Sequence, residues 1–191
     1  MNDDTKQVLA YVIGCALGDG NLSRPNGRAT RLRITCDERY SRQANEMILA
    51  LEFLLPKNKV SIVTRRNEAC FDISVYSNRL DEWMPWKVGM GSKATQGASV
   101  PAWILLNPMF ISPCLKGLIQ TDGCIYTDRG YKMINFVNNS LPLAEAVRNM
   151  LQTLDFNPRF NTLPLAYGAT KYTVKVARGD EVERLINTLK L

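Results

Sequence analysis

One short pattern occurs twice in this chain. Val12-Ile13-Gly14-Cys15-Ala16-Leu17-Gly18-Asp19-Gly20 and Leu115-Lys116-Gly117-Leu118-Ile119-Gln120-Thr121-Asp122-Gly123 each set a glycine inside an apolar helical segment and end in Asp-Gly. Glycine in a helix interior costs roughly 1 kcal/mol relative to alanine, so its presence asks for a reason, and close approach of a second helix supplies one. An aspartate at a helix C-terminus faces the negative end of the macrodipole, an unfavourable place that a bound cation would make favourable. If the two helices cross at Gly14 and Gly117, Asp19 and Asp122 arrive at the same end. Two carboxylates held that close resist double ionisation unless a divalent metal lies between them. A single helix followed by Asp-Gly means little, because Asp-Gly is also a hairpin turn and glycine a common helix cap. Two copies at equivalent places carry the argument.

The surroundings of the two motifs repeat as well. After the first come a polar turn-rich link, a strand at 30–36 with Leu32, Ile34 and Cys36 on one face and Arg31, Arg33 and Thr35 on the other, and a helix from Gln43 to Leu55 stopped by Pro56. Two strands, 59–65 and 70–76, form a hairpin, and a short helix over 78–86 closes the half. After the second motif, 131–137, 143–154, 159–164, 170–176 and 181–189 repeat the series of strand, helix, two strands and helix. Asp4 is the expected cap of the first motif helix, and Ser112-Pro113 the expected start of the second. The fold class read from this is α+β: two pseudo-symmetric αββαββα halves, each with an antiparallel four-stranded sheet. Residues 1–86 form the first half, 87–102 a Gly/Ser-rich linker and 103–191 the second half.

Composition limits the chemistry. The 191 residues contain no histidine, which excludes an imidazole base, a histidine-bound zinc or a Ser-His pair. Metal or phosphate chemistry then rests on carboxylates, lysine, arginine and water. A net charge of +6 suits a polyanionic partner. Five cysteines without C-x-x-C spacing read as buried thiols in a reducing, intracellular compartment; no membrane span or signal peptide is expected.

The paired motifs resemble those of the LAGLIDADG homing endonucleases, in the monomeric type that carries two motifs in one chain. Residues 115–123 are a close match and residues 12–20 a looser one, and the resemblance extends over nearly the whole chain. It implies that the halves pack about a pseudo-twofold axis through the motif helices, with Gly14 and Gly117 at the helix interface. It implies a monomer that cuts both strands of double-stranded DNA at a long asymmetric target. Asp19 and Asp122, with the carbonyls of Gly18 and Thr121, would hold Mg²⁺, and Mn²⁺ or Ca²⁺ could occupy the same place. The sheets would read the major groove with Arg24, Asn26, Arg28, Arg31, Arg33, Arg65, Arg66 and Ser74 from the first half. The second half would use Tyr126, Arg129, Lys132, Asn135, Arg159, Asn161, Lys171 and Lys175.

The pattern departs from the family in one respect. Relatives place basic residues or glutamine around the metals, and Lys175 falls where the last strand of the second half supplies one, as a third catalytic residue. Its counterpart in the first half is Ser74. Where relatives often have Gln-Lys, this chain has Cys36-Asp37 and Asn138-Asn139, leaving Arg33 or Lys132 as nearby substitutes. Two other functions fit the same motifs: an intron RNA maturase, with host intron RNA as partner, and a sequence-specific DNA-binding protein without cleavage.

Overall fold

A computed structural model describes residues 1–65, 68–165, 168 and 170–191. Arg66, one of the expected DNA contacts, lies outside the described residues. The first half runs α1 (Asp3–Asp19), β1 (Gly20–Ser23), β2 (Arg31–Asp37), a 3₁₀ turn (Glu38–Tyr40), α2 (Ser41–Leu54), β3 (Ser61–Thr64), β4 (Cys70–Tyr76) and α3 (Leu80–Trp83). A short α4 (Ala102–Leu105) precedes the second half, α5 (Pro108–Asp122), β5 (Gly123–Asp128), β6 (Tyr131–Asn138), α6 (Leu141–Thr153), β7 (Arg159–Pro164), β8 (Thr170–Val176) and α7 (Gly179–Leu189). The two sheets have orders β1-β2-β4-β3 and β5-β6-β8-β7, with antiparallel pairing throughout. The fold is therefore α+β, with the same topology twice.

The pairing registers make the repeat exact to the residue. Gly20 stands opposite Ile34 and Ile34 opposite Ile73, while Gly123 stands opposite Phe136 and Phe136 opposite Val174. Position 36 thus corresponds to 138, 33 to 135, and 74 to 175. Strand alternation sends Leu32, Ile34, Ile73 and Val75 inward in the first sheet, and Ile134, Phe136, Val174 and Val176 inward in the second; all are buried. Helices α1 and α5 make the most extensive helix contact in the protein, and α1 is buried continuously from Leu9 to Leu17.

Local chemistry sets the helix ends. Asn2, rather than Asp4, caps α1: its Oδ1 accepts from the Thr5 N–H at 2.9 Å. Helix α5 starts earlier than Ser112, because Asn107 accepts from the Met109 N–H at 3.0 Å and Pro108 fits the first helical position, leaving Pro113 inside the helix. Phe53 of α2 is 57% exposed. Successive helical residues are rotated by about 100°, and α2 spends its inner face on Met47, Leu51 and Leu54. Among the described residues no helix is long and apolar enough to cross a membrane. All five cysteines are free; Cys15, Cys36 and Cys114 are buried, Cys70 partly so, and Cys124 exposed.

Candidate metal centre and nucleic-acid interface

The α1–α5 crossing is tight because the chain has no side chain where the two backbones meet. A Cβ on Gly14 would lie 3.0 Å from the Cys114 carbonyl carbon, and one on Gly117 would lie 2.5 Å from the Tyr11 carbonyl oxygen and 2.7 Å from the Cys15 nitrogen. Near the ends of the two helices, a Cβ on Gly18 would lie 2.6 Å from Thr121 Cβ and 3.4 Å from the Asp122 carboxyl carbon. The end of α1 therefore sits against the last turn of α5, and Asp19 and Asp122 emerge side by side. Gly20 and Gly123 end the helices in extended conformations, not left-handed ones. Each is needed because a Cβ would meet its own preceding turn, at Ala16 Cα (2.6 Å) and Ile119 Cα (2.7 Å).

Each aspartate borders a separate cavity. The first, of 400 Å³, is lined by Asp19, Cys36, Asp37 and the end of α5 at Gln120 and Thr121. The second, of 380 Å³, is lined by Asp122, Asn138, Asn139 and the end of α1 at Leu17 and Gly18. By the register equivalence these are the same site in the two halves. Their chemistry differs. Asn138 Nδ2 donates to Asp122 Oδ2 at 2.6 Å, and Asn138 Oδ1 accepts from the Ser140 N–H at 2.8 Å. At the equivalent place Cys36 turns inward to Met47 Sδ at 3.8 Å. Burial, with the charges of Asp19 and Asp72 adding to it, pushes the Cys36 thiol up to about 12.

Both carboxylates are held above the usual aspartate range. For Asp122 the pKa is raised to about 6: burial is the main cause and the neighbouring Asp19 charge adds to it, while the Asn138 hydrogen bond and Lys93 oppose it. Asp19 opens to solvent, yet the crowded helix ends strip enough water from it to raise its pKa, against the pull of Lys93. Among the described residues Lys93 is the one basic side chain that enters both balances. Its ammonium donates to the carbonyls of Ala16 (3.1 Å), Leu17 (2.6 Å) and Gly18, and lies 5.5 Å from the centroid of the Trp86 ring.

The outer faces of the sheets carry most of the polar candidates. In the second half Tyr126, Asn135, Lys175, Arg159, Asn161 and Lys171 share one face by register. Asn135 Nδ2 donates to the Tyr126 hydroxyl at 3.1 Å, and the Lys175 ammonium lies 5.8 Å from the Tyr126 ring centroid. Lys175 thus stands on the strand face, with no contact to Asp122 among the described residues. Lys132 alternates with the buried Ile134 and Phe136 and pairs with Glu183 of α7 at 2.8 Å, which places it on the helical side. Arg129 occupies the β5–β6 turn at φ 50 beside Gly130 at φ 84.

In the first half Arg31, Arg33, Arg65 and Ser74 share the outer face, but they surround an acid. Asp72, 3% exposed, accepts from Arg65 Nη2 at 2.8 Å and Thr35 Oγ1 at 2.9 Å, and Arg33 Nη1 lies 3.7 Å away. Burial works against its charge, but Arg65 and Thr35 outweigh burial and hold its pKa below the usual value. Arg31 donates to Ser23 Oγ at 3.1 Å; Arg24 is drawn to Asp81 of α3 at 2.7 Å; Asn26 and Arg28 are exposed in the β1–β2 loop.

A family model described as a LAGLIDADG-like domain matches residues 110–190. Solved structures extend the likeness to the whole chain. Mesophilic variants of the homing endonuclease I-DmoI superpose with a TM-score of 0.68 at 20% identity, covering 98% of each chain. I-DmoI in complex with DNA and Mn gives 0.69 at 20% identity over 97% of each. The chain has the two-half LAGLIDADG fold. The N-terminal LAGLIDADG domain of DUF199/WhiA gives 0.67 at 12% identity, covering 98% of this chain and 84% of that one. No curated protein matches by sequence.

Within this LAGLIDADG fold the donor set at the helix ends suits a hard divalent cation: two carboxylates and helix-end carbonyls, with no histidine or thiolate required. Among the described residues no group of three or more acidic, cysteine or histidine side chains forms a cage, so the remaining ligands would be water and phosphate. The carbonyls at the end of α1 already accept a cation, the Lys93 ammonium. Two features of this site, Lys93 and Asp72, are not legible in the sequence. Lys93 lay in a Gly/Ser-rich stretch that reads as a linker, and Asp72 is one acid in an alternating strand; neither position carries a sequence signal. Asn138 shows in the sequence only as a departure from the family pattern.

Proposed function

We propose that this protein is a site-specific, divalent-metal-dependent DNA endonuclease acting as a monomer, with halves at 1–86 and 103–191 joined by 87–102. The observation that carries this is the convergence of Asp19 and Asp122 at the crossed ends of α1 and α5, in a site that disfavours their charges unless a cation is present. A Mg²⁺ ion bound there would polarise a scissile phosphate and lower the pKa of an attacking water. Asp19 with the Thr121 carbonyl, and Asp122 with the Gly18 carbonyl, would each offer oxygen ligands to such an ion, and Asn138 orients the Asp122 carboxylate. Lys175 and Lys171 present positive charge to the DNA backbone from the second sheet, and Tyr126, Asn135 and Asn161 offer hydrogen-bonding groups to base edges. In the first sheet Arg31 and Arg33 do this with Arg65, partly restrained by Asp72.

The I-DmoI structures described with DNA, Mn, Mg and Ca support a DNA partner and a divalent ion for this fold. A second reading is a DNA-binding protein that does not cut, and Lys93 favours it by claiming one of the carbonyls a metal would use. The test is to incubate the wild type and Asp19→Asn/Asp122→Asn with a randomised double-stranded DNA library, with Mg²⁺ and with chelator, and to sequence the ends. Mg²⁺-dependent breaks at one long motif, absent in the double variant, are the expected result. Retention of one bound motif without breaks would establish the second reading instead.

A further inference from the structure

The two pseudo-equivalent cavities beside the aspartates are not equally open to a metal ion. The Asp122 cavity is lined by two lysines, Lys93 and Lys171. The Asp19 cavity has no basic lining residue among the described residues and carries a second carboxylate, Asp37, held by the exposed Arg39 at 2.7 Å. Helix C-terminal carbonyls attract cations, and at α1 three of them converge on the Lys93 ammonium, whose remaining side faces Trp86.

This lysine is set in place by its own segment. Gln96 receives the Lys87 N–H at 2.8 Å and donates to the carbonyls of Lys87 and Gly91, each at 3.0 Å, and the Ala98 N–H returns to the Lys93 carbonyl at 2.9 Å. Residues 87–98 therefore form a folded strap, and the lysine at its apex reaches the end of α1 across 75 residues of sequence.

We propose that Lys93 is a tethered cation that takes the place of one divalent ion, so that this chain binds metal in the Asp19 cavity and not in the Asp122 cavity. This rests on the metal-dependent reading above. A monovalent ammonium satisfies the Gly18 carbonyl and balances Asp122, and a dication entering beside it meets like charge at close range. On the Asp19 side Asp19 and the end of α5 face a cavity that no lysine lines among the described residues, and the second carboxylate, Asp37, is held by the exposed Arg39. The halves are then chemically unequal although their folds match, and the two DNA strands are cut at different rates.

The test counts ions directly, without DNA or activity. Mn²⁺ is titrated into millimolar protein, and the loss of the free-ion electron paramagnetic resonance signal gives the number bound. The wild type and Lys93→Arg bind one ion, Lys93→Met binds two, and Asp19→Asn/Asp122→Asn binds none, with circular dichroism confirming that each variant is folded. Equal numbers and affinities within twofold for the wild type and Lys93→Met would overturn the inference while leaving the metal reading intact. No ion in either would overturn both. Should Lys93→Met fail to fold, wild-type crystals soaked in Mn²⁺ decide by anomalous scattering: one peak beside Asp19 supports the proposal, and a peak on the Gly18 carbonyl refutes it.

Discussion

The Asn138 amide donates to the Asp122 carboxylate across 2.6 Å, whereas its counterpart Cys36 turns into the core and, among the described residues, no side chain donates to Asp19. The same backbone position thus fixes one carboxylate and frees the other. A hydrogen bond to a carboxylate favours its ionised form. Asn138→Ala should therefore raise the Asp122 pKa above about 6. The side-chain carboxyl ¹³C shift of Asp122, followed through a pH titration, reads this; an unchanged or lower midpoint would contradict it.

Stability should depend on pH with a definite sign. Asp122 has a folded-state pKa near 6, above its ordinary 3.8, and Asp19 is displaced in the same direction. Groups raised in this way contribute most below the unfolded value, and the contribution is lost as pH climbs through the folded value. The metal-free protein should lose stability between about pH 4 and pH 6.5 from this source. Asp122→Asn should then be more stable than wild type at pH 7 by on the order of 1 kcal/mol after solvent screening, while losing function. Urea denaturation at pH 4.5 and 7 measures both, and a variant less stable at pH 7 would be the contrary result.

The helix crossing should tolerate no side chain. Gly117→Val puts a Cβ 2.5 Å from the Tyr11 carbonyl oxygen, a backbone atom that cannot swing aside. A loss of at least about 3 kcal/mol is expected, the upper end of ordinary overpacking. Chemical denaturation with circular dichroism checks it, and a loss below about 1 kcal/mol would mean that the helices can slide apart.

Asp72 should restrain the first sheet as a DNA surface while stabilising it. Removing it in Asp72→Ala takes this carboxylate from Arg33 and leaves Arg65 with the exposed Glu68 at 3.3 Å, and should cost about 1.5–3 kcal/mol. The released arginines become free to meet phosphates, so the slope of log affinity against log salt should steepen by about 1–2. By contrast Lys171→Ala/Lys175→Ala should flatten it by a similar amount. Fluorescence anisotropy with duplex DNA over a salt series distinguishes the two, and parallel slopes for all three proteins would refute this division of charge.

Much of this architecture is legible in the residue order because the relevant physics is local. Apolar runs ending in Asp-Gly define the motif helices, alternation such as Leu32/Ile34/Cys36 against Arg31/Arg33/Thr35 defines the strands and their faces, and the repeat at about a hundred residues defines the duplication. Gly14 and Gly117 announce a close crossing because glycine in a helix needs a reason. Helix starts were less legible at α5, where two prolines and two capping side chains compete and the earlier pair wins.

What the sequence by itself determined is the duplicated α+β frame and the aspartate pair at the ends of its central helices. Only the tertiary structure decided which charges those aspartates meet. Lys93 reaches Gly18 from a segment that reads as a linker, Asp72 gathers arginines from two separate positions, and Lys132 turns to Glu183 while Lys175 turns to the opposite face. Spacing along the chain encodes periodicity, and periodicity encodes faces; the meeting of side chains from distant segments is set by packing, which no local pattern records.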